Sequence, residues 1–387
     1  MNTAERDLAY IEHTYNRFPL TIVSGHGSVV TDDAGRDYID FGTGIATNTF
    51  GVSDPVWLQA VTEQAAKVQH TSNLFYSEPC ATLAEKLCAR TGLKKVFFCN
   101  SGAEANEGAI KIARKYASDR GNAAPTVVTL KNSFHGRTVT TLAATGQDVY
   151  HTHFGPFPEG FAYAEANDLA DTLEKLSAPD ACAILMEMVQ GEGGINVLDT
   201  AYVQAIAAYC AEHDKLLMID EVQTGNGRTG KLYAFQHYGI SPDVVSTAKG
   251  LAGGLPLGAI LIGEKAEGTL VAGTHGSTFG GNPVCAAAAN SIVDRLTDDL
   301  FAEIEAKYAY FCETMQNADG VAEIAGKGFM LGILPSKKTA ADVVRECREN
   351  GLLVLTAKNK VRLLPALNIG WEEWKQGLEI LKGVLAQ

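Results

Sequence analysis

Short apolar runs alternate with longer stretches of helical spacing through the middle of the chain. From about residue 95, the apolar runs show no polar alternation, which is typical of strands that are buried on both faces of a parallel sheet. The segments between them mostly repeat apolar residues at helical spacing, as the helices of βαβ units do. The predicted strands are Val96–Phe98, Thr126–Leu130, Ala183–Met188, Leu216–Ile219, Val244–Ser246 and Ala259–Ile262. We therefore predict one large α/β domain with a mostly parallel sheet.

The two ends of the chain follow different patterns. Residues 20–50 predict a meander of short strands broken by turns, and residues 56–88 have helical spacing. After Asn282-Pro283 the pattern predicts a long helical stretch and then a mixture of strands and helices. The predicted terminal elements are strands Leu20–Val23, Ser28–Thr31, Tyr38–Phe41, Phe329–Leu334, Leu352–Leu355 and Val361–Leu364, helix Asp342–Glu349, and a helix from Trp371. The C-terminal part is thus expected to form a small α+β domain.

Composition narrows the class of protein. The 387 residues are 46% hydrophobic and 20% charged, with a formal net charge of −13, which disfavours binding to nucleic acid or to acidic membrane surfaces. The eight cysteines show no CxxC spacing, so we expect reduced thiols. The N-terminus lacks a signal-like apolar segment, and no apolar run reaches the roughly 18 residues of a spanning helix. We expect a cytoplasmic protein.

Two charged residues stand at the ends of neighbouring predicted strands. Asp220 follows the apolar run Leu216–Ile219, and Lys249 follows the run that begins at Val244. Ligands of open α/β sheets bind at the carboxyl ends of the strands. An acid that keeps a pyridine nitrogen protonated and an amine that condenses with an aldehyde are the two groups that pyridoxal phosphate chemistry requires. The alternative is an ordinary ion pair.

Further polar groups follow other predicted strands. Ser101 is placed to cap a helix whose first amides, those of Gly102 and Ala103, could hold a phosphate, although the same residues would also serve as a simple helix cap. Phe134 could stack on a planar ring. Arg137 could bind a carboxylate through two hydrogen bonds, or it could form a surface salt bridge.

Four other patterns carry less information on their own. Glu192 lies in a glycine-rich strand-end loop, and Thr278 lies in a polar loop where it could bind phosphate. The segment Gly225–Gly230 matches GxGxxG, but it neither follows its strand directly nor enters a helix, so we reject a dinucleotide site and an NAD-dependent dehydrogenase. His151 and His153 lack a third ligand nearby in sequence, and we predict no metal site.

Taken together, the ordered motifs resemble the class III pyridoxal-phosphate-dependent aminotransferases over nearly the whole chain. The motifs are SGAEANE, FHGRT, QGEGG, DEVQTGNGRTG, AKG and GSTFGGNP. The resemblance implies an α/β fold of the aspartate-aminotransferase type (fold type I), in which both termini build the small α+β domain. The implied domains are residues 1–55 (N-terminal part of the small domain), 56–285 (large cofactor-binding domain) and 286–387 (C-terminal part of the small domain).

The resemblance also implies a role for each candidate residue and a homodimer with shared active sites. Asp220 would bind the pyridine nitrogen of pyridoxal 5'-phosphate, Gln223 its ring hydroxyl and Lys249 its aldehyde carbon. Other implied cofactor contacts are Phe134 on the ring, Ser101, Gly102 and Ala103 at the phosphate, and Thr278 from the partner subunit. The implied substrate-binding residues are Arg137, Glu192, Ser277 and Arg362.

A substrate that reacts at a terminal amine has no carboxylate on its reacting carbon, whereas 2-oxoglutarate does. Arg362 would bind that carboxylate, and Glu192 would cover the arginine when the carboxylate is absent, because an unpaired buried charge is costly. We predict transfer of the terminal amine of N2-acetylornithine to 2-oxoglutarate, as a step of arginine biosynthesis. Enzymes that use succinylornithine, N-acetylated diaminopimelate or lysine, ornithine or 4-aminobutyrate share these motifs and remain alternatives.

Overall fold

The computed structural model describes all residues from Met1 to Gln387. Its strands are β1 (Ile22–His26), β2 (Val29–Asp32), β3 (Asp37–Asp40), β4 (Lys95–Cys99), β5 (Thr126–Leu130), β6 (Phe161–Ala164), β7 (Ala181–Met186), β8 (Val189–Gln190), β9 (Asn196–Val197), β10 (Leu216–Asp220), β11 (Val244–Thr247), β12 (Gly258–Ile262), β13 (Val321–Lys327), β14 (Met330–Pro335), β15 (Leu352–Leu353), β16 (Leu355–Ala357) and β17 (Lys360–Leu363).

Helices cover the sheets and connect their strands. They are α1 (Thr3–Tyr10), α2 (Thr43–Ala46), α3 (Pro55–Lys67), α4 (Glu78–Thr91), α5 (Gly102–Ser118), α6 (Val139–Ala144), α7 (Leu169–Leu176), α8 (Thr200–Glu212), α9 (Pro283–Val293), α10 (Asp298–Met315), α11 (Ala340–Glu349) and α12 (Trp371–Ala386). None of them is both long and apolar enough to span a membrane.

The central sheet has seven strands in the order β4-β12-β11-β10-β7-β5-β6. Only β12 runs antiparallel to its neighbours β4 and β11, and the other pairs are parallel. Every residue of β7, β10 and β11 is buried, as expected for strands covered on both faces. The predicted α/β fold with a mostly parallel sheet is confirmed. The sequence pattern missed β6, a partly buried edge strand of only four residues.

The chain termini meet in two smaller sheets. One has the order β1-β2-β3-β15 and the other β13-β14-β17-β16. Because β15 pairs in parallel with β3, through Leu352 opposite Ile39, the N-terminal meander and the C-terminal part share a sheet. The prediction of a single strand over Leu352–Leu355 was wrong, since β15 and β16 belong to different sheets. Local sequence cannot show this, because both pieces are equally apolar.

The helical stretch after Asn282 is also divided. The long stretch predicted there is two helices, α9 and α10, and Thr297 begins the second one by accepting a hydrogen bond from Leu300 N at 3.3 Å. A threonine at this position satisfies one of the free amides of a new helix.

A continuous apolar core joins the N-terminal and C-terminal segments. Trp374 of α12 is fully buried, and its ring centroid lies 5.1 Å from that of Phe41 and 5.2 Å from that of Phe329. Phe41 follows β3, and Phe329 precedes β14. This aromatic cluster therefore holds α12 against both of the smaller sheets.

We predict that Gly377→Ala in α12 lowers the free energy of unfolding by about 1–3 kcal/mol, because the added methyl would lie 2.3 Å from the Phe41 ring. Gly383→Ala is the matched control in the same helix. Its methyl would meet no atom within 4 Å, so better helix propensity should leave stability unchanged or raised by up to about 1 kcal/mol. Chemical denaturation of both variants measures the difference. Equal effects at the two positions would contradict the described packing.

Candidate active site

Asp220 is the most constrained acid at the carboxyl edge of the central sheet. It ends β10, is 3% exposed and accepts three hydrogen bonds. Its Oδ2 accepts from Asn106 Nδ2 at 2.7 Å and contacts His135 Nδ1 at 2.8 Å, while its Oδ1 accepts from Val222 N at 2.9 Å. A ring nitrogen that faces a carboxylate oxygen at this distance carries the proton. These donors hold the carboxylate in one orientation.

Asn106 connects this acid to its surroundings. It projects from α5, and its Nδ2 also donates to His135 O at 2.7 Å. Its Oδ1 accepts from Ser246 Oγ at 2.5 Å. Ser246 lies on β11 directly opposite Asp220 on β10. One side chain thus ties together a helix, two strands and the loop that carries His135.

Lys249 stands just beyond the end of β11, partly buried. Its φ of +45° lies in the left-handed region, an uncommon backbone conformation for a lysine that is found preferentially at functional sites. Burial lowers the pKa of Lys249, against the opposing effect of the negative charges of Asp220 and Glu192. A larger fraction of neutral amine makes this lysine a better nucleophile and proton acceptor than an exposed one.

Glu187 is a buried acid that lies just after β7, 6% exposed. Its Oε2 accepts from Phe134 N at 3.0 Å and its Oε1 from Gly191 N at 3.3 Å. Burial, and then the neighbouring charge of Asp220, raise its pKa well above the usual range. Glu187 therefore fixes two strand-end loops at once, the one with Phe134 and the one with Glu192.

Arg362 lies on β17 of the sheet β13-β14-β17-β16 and is 3% exposed. Its side chain reaches the carboxyl edge of the central sheet. Its Nη1 donates to Glu192 Oε1 at 2.6 Å, to Gln223 Oε1 at 3.1 Å and to Gly191 O at 3.4 Å. Its Nε is buried and has no partner. Glu192 itself keeps 27% of its side chain exposed, so it can leave the arginine at less cost than a buried acid could.

The beginning of α5 offers free amides. Ser101 is the N-cap, and its Oγ accepts from Glu104 N at 3.2 Å. The amides of Gly102 and Ala103 begin the 17-residue helix and point along its axis, where an anion is favoured. A Cβ at Gly102 would lie 2.6 Å from Val222 Cγ1, so the close packing admits only glycine.

Phe134 and Arg137 lie in the loop that follows β5. The Arg137 guanidinium is exposed and sits 5.3 Å from the Phe134 ring centroid and 4.3 Å from that of Tyr150. No carboxylate pairs with Arg137, so the salt-bridge alternative is not observed. The aromatic faces orient the guanidinium and leave its hydrogen-bond donors free for a carboxylate.

Ser277 and Thr278 form no hydrogen bond with the residues around Asp220. Ser277 Oγ accepts from Asn100 Nδ2 at 3.1 Å and from Gly280 N at 2.9 Å. The Thr278 side chain is exposed and lines a surface depression with His70 and Asn73. Within one chain, therefore, the structure brings Phe134, Glu192, Gln223 and Arg362 to the edge that holds Asp220 and Lys249, but it leaves Thr278 at the surface.

Sequence reasoning missed three residues of this site. Asn106 and His135 hold Asp220, and Glu187 holds two loops. Asn106 lies in the motif SGAEANE, His135 lies in FHGRT, and Glu187 shortly precedes QGEGG. The neighbouring sequence does not show which distant residue each of these side chains contacts. No group of three or more His, Cys, Asp or Glu side chains is arranged to hold a metal ion.

The residues present fit pyridoxal phosphate. A ring nitrogen needs a buried acid, an aldehyde needs a partly neutral amine, and a phosphate needs unpaired amides at a helix start. Asp220, Lys249 and the first turn of α5 provide these groups.

The chain is similar to known proteins over nearly its whole length. Residues 10–385 match the family model described as aminotransferase class-III. The chain is 49% identical over 383 residues to acetylornithine aminotransferase of Haemophilus ducreyi, with 98% of each chain covered. It is 43% identical to succinylornithine transaminase of Salmonella paratyphi A, covering 93% of this chain and 91% of that one.

A solved structure shows the same fold. The ornithine aminotransferase of Toxoplasma gondii superimposes with a TM-score of 0.94 at 30% identity, covering 99% of this chain and 93% of that one. That structure was described with partial occupancy of PLP at its active site.

Proposed function

This chain belongs to the class III aminotransferases, and on that premise we propose that it transfers the terminal amine of N2-acetylornithine to 2-oxoglutarate. The products are N-acetylglutamate 5-semialdehyde and glutamate, in arginine biosynthesis. The observation that carries the proposal is the partly buried contact of Arg362 Nη1 with Glu192 Oε1 at 2.6 Å, beside Gln223. The 49% identity to an acetylornithine aminotransferase supports the choice of donor.

Pyridoxal 5'-phosphate is the cofactor, and when bound it supplies an aldehyde and an electron-withdrawing ring. In our proposal Asp220 holds a proton on the ring nitrogen, and Gln223 faces the ring hydroxyl. Phe134 lies against the ring, and the amides of Gly102 and Ala103 bind the phosphate. Lys249 Nζ moves the proton at the reacting carbon, and its lowered pKa supports this role because a neutral amine can accept a proton.

Arg362 and Glu192 explain how one site serves both substrates. With 2-oxoglutarate or glutamate, the carboxylate beside the reacting carbon takes the place of Glu192 on the guanidinium. With the ω-amine donor no such carboxylate exists, and Glu192 neutralises the arginine. Arg137, exposed and free of an acid partner, binds the carboxylate at the far end of both substrates. Ser277 is proposed as a further substrate contact.

The segment Gly44–Asn48 would receive the acyl group. Thr43, Gly44, Ile45 and Ala46 all have positive φ, so α2 is a left-handed turn rather than an ordinary helix turn. Such strain persists where the surrounding structure fixes it, and it is found preferentially at binding sites. Gly44 and Ala46 add little bulk to this segment, which supports it as the place for an acetyl group. Succinylornithine is the principal alternative donor, because one of the relatives is a succinylornithine transaminase.

We further propose a homodimer in which Thr278 contacts the phosphate bound by the partner subunit. The exposed position of the Thr278 side chain supports this arrangement. None of the eight cysteines forms a disulfide, which supports a reducing, cytoplasmic setting. The net charge of −13 supports the absence of nucleic-acid and membrane partners.

We predict that, among N2-acetylornithine, N2-succinylornithine, ornithine, N2-acetyllysine and 4-aminobutyrate, the highest kcat/KM with 2-oxoglutarate belongs to N2-acetylornithine. Steady-state production of glutamate measures each donor. A higher kcat/KM for succinylornithine or for free ornithine would refute the donor assignment. The transaminase assignment would survive that result and fail only if no donor gave glutamate.

Arg362→Ala should impair the half-reaction with 2-oxoglutarate far more than that with N2-acetylornithine, by about 2–5 kcal/mol in transition-state stabilisation, the scale of losing one partner of a buried charge pair. Arg137→Ala should impair both half-reactions, because its carboxylate is present in both substrates. Single-turnover kinetics of each half-reaction provide the measurement. Equal losses in the two half-reactions of Arg362→Ala would rule out the exchange of partners at this arginine.

Mixing Lys249→Ala and Thr278→Ala subunits tests both the lysine and the shared site. Each variant alone should be nearly inactive at limiting cofactor. After subunit exchange, each heterodimer contains one site with both substitutions and one with neither, so activity should approach about a quarter of the wild-type value. If each site were built from one chain, verified exchange would restore no activity.

A further inference from the structure

The proposed function gives no role to the glycine-rich segment Gly225–Gly230, which matches GxGxxG in the sequence. All six of its residues are buried, although loops with many glycines normally lie at the surface. Its packing is close: a Cβ at Gly227 would lie 2.6 Å from Leu367 Cδ1, and one at Gly225 would lie 2.7 Å from Glu221 O. The segment therefore has little freedom to move.

One end of this segment holds the chain next to Lys249. Asn226 Nδ2 donates to Ala248 O at 3.0 Å and to Thr247 Oγ1 at 3.1 Å. Ala248 is the residue immediately before Lys249, whose own φ is positive. The amide group thus restrains the carbonyl that leads into the strained lysine backbone.

Arg228, in the middle of the segment, holds the sheet that carries Arg362. Arg228 Nη1 donates to Pro365 O at 2.5 Å and to Phe329 O at 3.3 Å, while Arg228 O accepts from Phe329 N at 2.8 Å. In the β14–β17 ladder Leu331 lies opposite Leu363, so Phe329 and Pro365 are the pair that the same register places just beyond the last paired residues. The guanidinium bridges the two strands where their own pairing stops.

Arg228 is 3% exposed and has no carboxylate partner, which makes it a costly choice for packing alone. A residue of similar size without charge would fill the space. The guanidinium, in contrast, holds its N–H donors in one plane and can therefore fix the direction of two carbonyl groups at once. Pro365 lies three residues beyond Arg362, just after the end of β17, so the contact acts directly on the segment that carries the carboxylate-binding arginine.

We propose that Asn226 and Arg228 are positioning residues that set the separation between Lys249 and Arg362, and that this separation determines how well the enzyme binds a substrate with a carboxylate on its reacting carbon. The inference rests on the proposed function for the role of Arg362. Asn226 fixes the reacting end, which both substrates use. Arg228 fixes the end that only 2-oxoglutarate and glutamate use.

Substitutions of Asn226 and Arg228 are therefore expected to cause different kinetic defects. Arg228→Gln should raise the KM for 2-oxoglutarate by about tenfold or more, the scale of one lost hydrogen bond to a charged group, and should change the KM for N2-acetylornithine by less than about twofold. The KM of Arg228→Lys for 2-oxoglutarate should lie between those of Arg228→Gln and the wild type. An ammonium group keeps the positive charge but lacks the planar arrangement of N–H donors that binds two carbonyls at once. Asn226→Ala should lower the rates of both half-reactions by similar factors.

Arg90→Gln is the matched control. Arg90 also donates to two carbonyls, Val293 O at 2.7 Å and Leu296 O at 2.5 Å, but it connects α4 to the end of α9 and touches neither Lys249 nor Arg362. It should change both KM values by less than about twofold even if it lowers the melting temperature as much as Arg228→Gln does.

Binding of glutarate, a dicarboxylate that does not react, gives a readout that is independent of turnover. Calorimetry on the holoenzyme should show a Kd about tenfold higher for Arg228→Gln than for the wild type, and an unchanged Kd for Arg90→Gln. If Arg228→Gln does not fold, Arg228→Lys must show the same selective loss. Equal changes in both KM values, or an unchanged glutarate Kd in a folded variant, would overturn the inference. Absence of wild-type transamination would instead overturn the proposed function.

Discussion

The site depends on keeping charged groups buried at one edge of a sheet without leaving any of them uncompensated. A carboxylate, an amine and a guanidinium meet where Asp220, Lys249 and Arg362 lie, and removing each from water is costly unless protein groups replace the lost solvation. Asp220 receives three hydrogen bonds, and Arg362 has an acid, an amide and a carbonyl as partners. Burial of Lys249 instead lowers its pKa, so that a larger fraction of the amine is neutral.

This constraint explains why the site is assembled from several layers. The parallel sheet brings the ends of β7, β10 and β11 together, and α5 adds Asn106 from one face. The smaller sheet contributes Arg362, which must be held against the large sheet by contacts other than a continuous strand ladder. The aromatic cluster around Trp374 provides apolar contact between the chain termini, and the buried Gly225–Gly230 segment provides directional hydrogen bonds.

Exposure varies across the site in a way that matches the proposed chemistry. Asp220 and Arg362 are almost fully buried, whereas Glu192 and Arg137 reach solvent. A group that keeps one charge throughout the reaction benefits from a rigid, dry environment, because preorganised dipoles need not reorient. Glu192, which must leave Arg362 when a substrate carboxylate arrives, benefits from access to water, because solvent lowers the cost of separating the two charges. The free amides at the start of α5 and the exposed Thr278 have a different explanation. In the proposed dimer, the amides bind the phosphate of their own site, and Thr278 contacts the phosphate bound by the partner subunit.

The sequence by itself determined the elements and the chemistry-bearing positions that depend on nearby residues. Uninterrupted apolar runs identified most strands of the central sheet, and the strand-end positions of Asp220 and Lys249 followed from them. The motifs that place Phe134, Glu192 and Gln223 beside those two residues were also visible. Only the tertiary structure decided which distant groups meet. Asn106 and His135 are 114 and 85 positions away from Asp220, and β15 and β16 separate within one apolar stretch. Arg228 binds the carbonyls of Phe329 and Pro365, which lie 101 and 137 positions later in the chain. The reason is physical: periodicity reports which face of an element is buried, but the partner of a buried polar group is fixed by how the elements pack.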